Sequence, residues 1–129
     1  MNIIEKITII IGSAGSGKTT AAKCIAEGYD SDKVVWLDGN NKIRHFFWNR
    51  CKENTELVII EEFKDVNDLE LLFAPAIDGI AVEHRGKETF YINPKIVVTC
   101  KSDVTIKDLP THSRAFSRRT MIVDCNLNL

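Results

Sequence analysis

The 129-residue sequence has no apolar run long enough to span a bilayer, no basic leader with a small-residue cleavage site, no internal repeat and no low-complexity or Pro/Ser-rich stretch. These absences argue against a membrane protein, a secreted protein and a string of linked modules. The expectation is a cytoplasmic chain with no membrane partner, folded as one domain over residues 1–129. Charge of one sign is also missing: 17 Lys and Arg face 18 Asp and Glu, so any contact with nucleic acid must be local. Cys24, Cys51, Cys100 and Cys125 lack metal-like spacing and have apolar neighbours, which reads as reduced core residues and not as zinc ligands or a disulfide. His45 and His112 have no acidic or cysteine partner at ligand spacing. Trp36, Phe46, Phe47 and Trp48 read as packing residues and not as a base-stacking platform.

What is present is an alternation of apolar strands with helical segments, the pattern of a mainly parallel sheet covered on both faces. Strands are expected at Ile7 to Ile11, Lys33 to Leu37, Leu57 to Ile60, Lys95 to Thr99 and Thr120 to Asp124. One helix runs to about Glu27 with Gly28 as its stop. A second is spaced on Ile43, Phe46, Phe47, Arg50 and Cys51, with Asn40 or Asn41 able to cap it. A third has Asp65 as N-cap, Val66, Leu69, Leu72 and Phe73 along one face, and Pro75 and Gly79 at its end. Ile80 to Glu83 and Glu88 to Ile92 flank His84-Arg85-Gly86-Lys87, the signature of a hairpin in which Gly86 supplies a positive φ.

The first strand feeds directly into Gly12-Ser13-Ala14-Gly15-Ser16-Gly17-Lys18-Thr19-Thr20, a G-x-x-x-x-G-K-T loop. Gly12, Gly15 and Gly17 let the backbone curl its N–H groups inward around phosphates, and the following helix adds its positive end to the same anion site. Lys18 is placed for the β- and γ-phosphates and the Thr19 hydroxyl for Mg²⁺, so the expected ligands are ATP, or another nucleoside triphosphate, and Mg²⁺. The fold expected is an α/β P-loop NTPase three-layer sandwich with a mainly parallel five-stranded sheet and an inserted β-hairpin.

Leu57-Val58-Ile59-Ile60-Glu61-Glu62 is an apolar strand ending in two carboxylates. In an open α/β sheet that strand lies beside the P-loop strand or one removed from it. Glu61 then serves the metal, directly or through water, and Glu62 orients and deprotonates an attacking water. The alternative is a pair of solvated surface charges.

Taken in order, the P-loop, the Glu61-Glu62 strand, the hairpin Asp78 to Lys87, the strand Pro94 to Thr99 and Arg118-Arg119 before a last strand resemble the ATPase core of superfamily-3 helicases. These are replication-initiator helicases of small DNA viruses and their relatives, within the AAA+ class, and the resemblance runs from Ile7 to about Val123. It implies that His84, Arg85 and Lys87 track single-stranded nucleic acid, although a polar hairpin turn explains them too. It implies an arginine finger at Arg118 or Arg119, with Arg114 in reserve, acting from a neighbouring subunit of a homo-oligomeric ring; a monomer in isolation is the other state to consider. The family's polar sensor, usually asparagine, falls where this chain has Lys101, so Thr99 or Lys101 stands in for it. Two other readings remain: a nucleotide-binding regulatory module with little hydrolysis, and a small-molecule kinase.

Overall fold

The computed structural model describes residues 6–13, 15–41, 47–63, 71–100 and 120–125. In chain order the elements are β1 (Ile7–Ile11), α1 (Lys18–Ala26), a 3₁₀ turn (Ser31–Lys33), β2 (Val34–Asp38), β3 (Leu57–Phe63), α2 (Phe73–Asp78), β4 (Ile80–Val82), β5 (Phe90–Ile92), β6 (Lys95–Cys100) and β7 (Thr120–Asp124). Five of the strands form one sheet in the order β2-β3-β6-β1-β7, with every neighbouring pair parallel. β4 and β5 pair with each other as an antiparallel hairpin. The expected mainly parallel five-stranded sheet with an inserted hairpin is what forms.

A parallel sheet is covered on both faces, so its strands must be apolar on both. β1 meets this with Ile7, Ile9, Ile10 and Ile11 buried, each contributing on the order of 1.5–3 kcal/mol relative to exposure. Alternation sorts the side chains into two layers. Ile10, Leu57, Ile59 and Val97 pack against Ala22 and Ile25 of α1. Ile9, Ile60 and Val98 face the opposite layer, closed by Trp48, Leu72, Ala76 and the inner side of the hairpin, Ile80, Val82 and Ile92.

Several local expectations change. Residues 42–46 and 64–70 lie outside the described residues, so the starts of two expected helices are not placed. Phe47 to Arg50 form a turn, in which the Cys51 amide donates to the Trp48 carbonyl at 2.9 Å, and not the last turn of a helix. Trp48 buries its ring edge-on to Phe47, and Arg50 Nη1 donates to the Trp36 carbonyl at 2.7 Å, capping the open edge of β2. Pro75 does not close α2 but sits in its first turn, where no backbone N–H is required; Gly79, at φ 91°, ends it. Among the described residues no helix is long and apolar enough to cross a membrane.

The cysteines divide. Cys51 and Cys100 are buried as expected and Cys125 is half-buried, but Cys24 projects from the outer face of α1 and is exposed; all four are free thiols. Burial pushes Cys51 up to about 11, against a smaller lowering by Arg50, and Cys100 up to about 12, against a smaller lowering by Lys18. Since the thiolate is the nucleophile, iodoacetamide near pH 8 is expected to modify Cys24 rapidly, and Cys51 and Cys100 only after denaturation. Peptide mass spectrometry reads the result. Rapid native labelling of Cys100 would contradict the placement of β6 between β1 and β3.

Candidate functional site

β1 delivers the chain to the carboxyl edge of the sheet at Gly12, and the turn back into α1 is tight. Gly15 and Gly17 hold φ of 77° and 97°, and a Cβ on either would meet nothing within 4 Å. The requirement for glycine there is one of backbone conformation, and the space above remains open for a ligand. Gly17 is the N-cap of α1 in the left-handed region and no side chain caps the helix, which leaves the amides of its first turn for an anion. Lys18 is folded inward and buried, its Nζ donating to the Gly12 carbonyl at 2.7 Å. Ser16 Oγ is buried without a hydrogen-bond partner, while the Thr19 side chain is exposed on the first turn. Open amides, an ammonium within reach and an unsatisfied hydroxyl fit a polyphosphate. Ala14 lies outside the described residues, and Ser13 and Thr20 are exposed at the two ends of the loop.

The two glutamates are built into β3 and do not follow it. Ile60 pairs with Val98 and Phe63 with Cys100, so Glu61 and Glu62 together stand opposite Thr99 alone. One extra residue in a parallel strand is a rare bulge, and here it returns Phe63 to the same layer as Ile60. Glu62 carries the strain, with φ 55° in a region that costs a non-glycine residue about 1–3 kcal/mol. Its amide has left the ladder and donates instead to Thr99 Oγ1 at 2.8 Å. Glu61 is half-buried and Glu62 exposed at the same carboxyl edge as the P-loop. β6 is the single strand between them, an axis separation of about 10 Å. Among the described residues no three His, Cys, Asp or Glu side chains gather as a metal cage. A hydroxyl and one or two carboxylates suit Mg²⁺, which keeps waters and takes its other ligands from phosphates.

No protein-family model and no curated protein matches the chain. Solved structures do. A JCV helicase bound to an acetamide compound superposes with TM-score 0.66 at 18% identity, over 93% of this chain and 35% of that one. The apo C-terminal region of NrS-1 follows at TM-score 0.60 and 17% identity, over 93% of this chain and 28% of that one. The chain has a helicase-like fold. At such identities the likeness is one of backbone path, and the chain spans roughly a third of each of these structures.

The hairpin divides the three basic residues expected to act together. Arg85 and Lys87 are exposed around Gly86, whose φ is 76°. His84 turns inward, its Nε2 bonded to the Asn49 carbonyl and its ring edge-on to Phe90 at 5.8 Å. A cleft of about 570 Å³ beneath the hairpin is lined by Cys51, Lys52, His84, Lys87 and Phe90 but also by Glu53 and Glu88, and it shares no residue with the P-loop. Lys101, Arg114, Arg118 and Arg119 lie outside the described residues. Sequence reasoning missed Gly39, which approaches the backbone of Glu61 and Glu62 from the turn after β2. Its only signal was the Asp38-Gly39 dipeptide after a strand, which also marks any ordinary turn.

Proposed function

We propose that this chain is a Mg²⁺-dependent ATPase core of the superfamily-3 helicase type, coupling hydrolysis of ATP, or another nucleoside triphosphate, to movement along or remodelling of single-stranded nucleic acid. One observation carries the reading: the P-loop follows one parallel strand and the glutamate pair lies near the end of another at the same sheet edge, with one strand between them. The solved neighbours include structures of JCV helicase, which gives the motor reading its support over other uses of a P-loop.

The first-turn amides of α1 and the loop N–H groups bind the phosphates, and Lys18 leaves the Gly12 carbonyl to neutralise their oxygens. Thr19, and Glu61 directly or through water, would hold Mg²⁺, which would supply positive charge to offset that of the phosphates. A Glu62 carboxylate oxygen takes the proton of the attacking water as the water oxygen bonds to the γ-phosphorus and the bond to the β–γ bridging oxygen breaks. Arg118 or Arg119 from an adjacent copy stabilises the transferring phosphoryl group, which makes the active form a homo-oligomer.

ATP turnover with and without single-stranded DNA tests the proposal. Stimulation is the expected result. Flat, near-zero turnover with tight nucleotide binding would leave a regulatory module, and phosphate transfer to a metabolite would leave a kinase. Arg85→Ala with Lys87→Ala is expected to weaken DNA binding and to make the log-log salt slope shallower by about 0.7 for each cation engaged. An unchanged slope in a filter-binding titration would remove the hairpin from the nucleic-acid contact.

A further inference from the structure

Two residues of β3 stand opposite one residue of β6, and a bulge of that kind does not hold itself. The extra residue has no ladder partner, and Glu62 sits at φ 55° with nothing in its own side-chain chemistry to favour that conformation. The structure shows what grips it from each side. From β6, the Thr99 hydroxyl accepts the Glu62 amide at 2.8 Å, and Thr99 is itself buried. From the turn after β2, the Gly39 amide donates to the Glu61 carbonyl at 2.6 Å. Gly39 approaches so closely that a Cβ there would lie 2.5 Å from Glu61 O and Phe63 N and 2.6 Å from the Glu62 carbonyl carbon. All three are backbone atoms of the bulge and cannot swing aside. Gly39 is held in turn by its neighbours, since Asp38 Oδ1 accepts the Asn40 amide at 2.9 Å and the Asn40 side-chain amide at 3.0 Å.

We infer that Thr99 and Gly39 are positioning residues that clamp the Glu61-Glu62 bulge from β6 and from the turn after β2 and so fix where the Glu62 carboxylate meets water. The inference rests on the reading of Glu62 as the water-activating group. Thr99 acts here through Glu62 and not as the stand-in for a phosphate sensor. Its hydroxyl can accept from the Glu62 amide and still donate its own hydrogen, so the clamp needs the oxygen and not the methyl group. That difference makes the two conservative replacements of Thr99 informative, because valine keeps the shape and serine keeps the oxygen.

The experiment uses the full chain with Mg²⁺ and ATP, comparing Thr99→Val, Thr99→Ser and Gly39→Ala for kcat, KM, nucleotide Kd and hydrogen exchange at the Glu62 amide. Thr99→Val is expected to lower kcat at least about tenfold with Kd changed less than about twofold, and to lose protection of the Glu62 amide. Thr99→Ser is expected to restore most of kcat and the protection. Gly39→Ala should lower kcat with the same split; should it fail to fold, the Thr99 pair alone decides. Wild-type kcat and a protected Glu62 amide in Thr99→Val would overturn the clamp while leaving the ATPase reading standing. A serine variant as slow as the valine one would overturn it too, by making packing and not the hydroxyl responsible. No turnover in the wild-type chain would overturn the ATPase reading and the catalytic meaning of the clamp together.

Discussion

Lys18→Ala is expected to abolish nucleotide retention, with Kd weakened at least about a hundredfold. The side chain is buried within the loop and already makes one close charge-assisted bond, to the Gly12 carbonyl. When a triphosphate arrives the same ammonium exchanges a neutral acceptor for charged ones, and each hydrogen bond to a charged group contributes about 1.5–3 kcal/mol. Two such bonds correspond to a loss of at least about 3 kcal/mol, or more than two orders of magnitude in Kd. Calorimetry or a fluorescent nucleotide titration measures it. The substitution also leaves the Gly12 carbonyl without its partner, a penalty of about 1–3 kcal/mol that a parallel melting curve detects, so lost binding can be told from lost folding. Wild-type affinity in the variant would remove the P-loop from the nucleotide site. Arginine would not substitute well, since its planar fork needs more room than an ammonium in a closed loop.

Glu62→Gln is expected to separate binding from chemistry. Glutamine has the same length and reach and can occupy φ 55° at the same cost, so the bulge and the Thr99 bond to its amide persist. What it lacks is a basic oxygen, and loss of a positioned general base costs about 10²–10⁴-fold in rate. The variant should therefore bind ATP as the parent does and hold it unhydrolysed, which single-turnover measurement with labelled ATP reports directly. Unchanged turnover would take Glu62 out of the mechanism. Glu61→Gln should behave differently, because its assigned role is toward the metal: its defect is expected to shrink as Mg²⁺ is raised.

The parts of this protein legible from its sequence are those set by local signals. Ile7 to Ile11 and Thr120 to Asp124 have the bounds read from their apolar runs, and Gly86 takes the positive φ its turn demanded. The turn from β1 into α1 was legible because Gly15 and Gly17 take the positive φ that its glycine pattern demanded. What was hidden depends on partners far along the chain. Glu61 and Glu62 looked like charges after a strand, because polar residues normally mark a strand's end. Only pairing with β6 and β2 shows that the strand continues to Phe63 and that Glu62 is its extra residue. The inward turn of His84 was equally hidden, since its acceptor at Asn49 belongs to another loop. Gly39 shows no unusual φ of its own; its constraint lies wholly in three atoms of another strand.

The pairing of β1 has a bearing on how this protein comes into being. Ile9 neighbours Val98 on one side and Ile122 on the other, so β1 finds both its companions far along the sequence. Such distant closure is entropically slow, and β1 cannot be enclosed until both β6 and β7 are available. Until then the four isoleucines of β1 stand uncovered, a natural target for chaperones and a stretch exposed to aggregation.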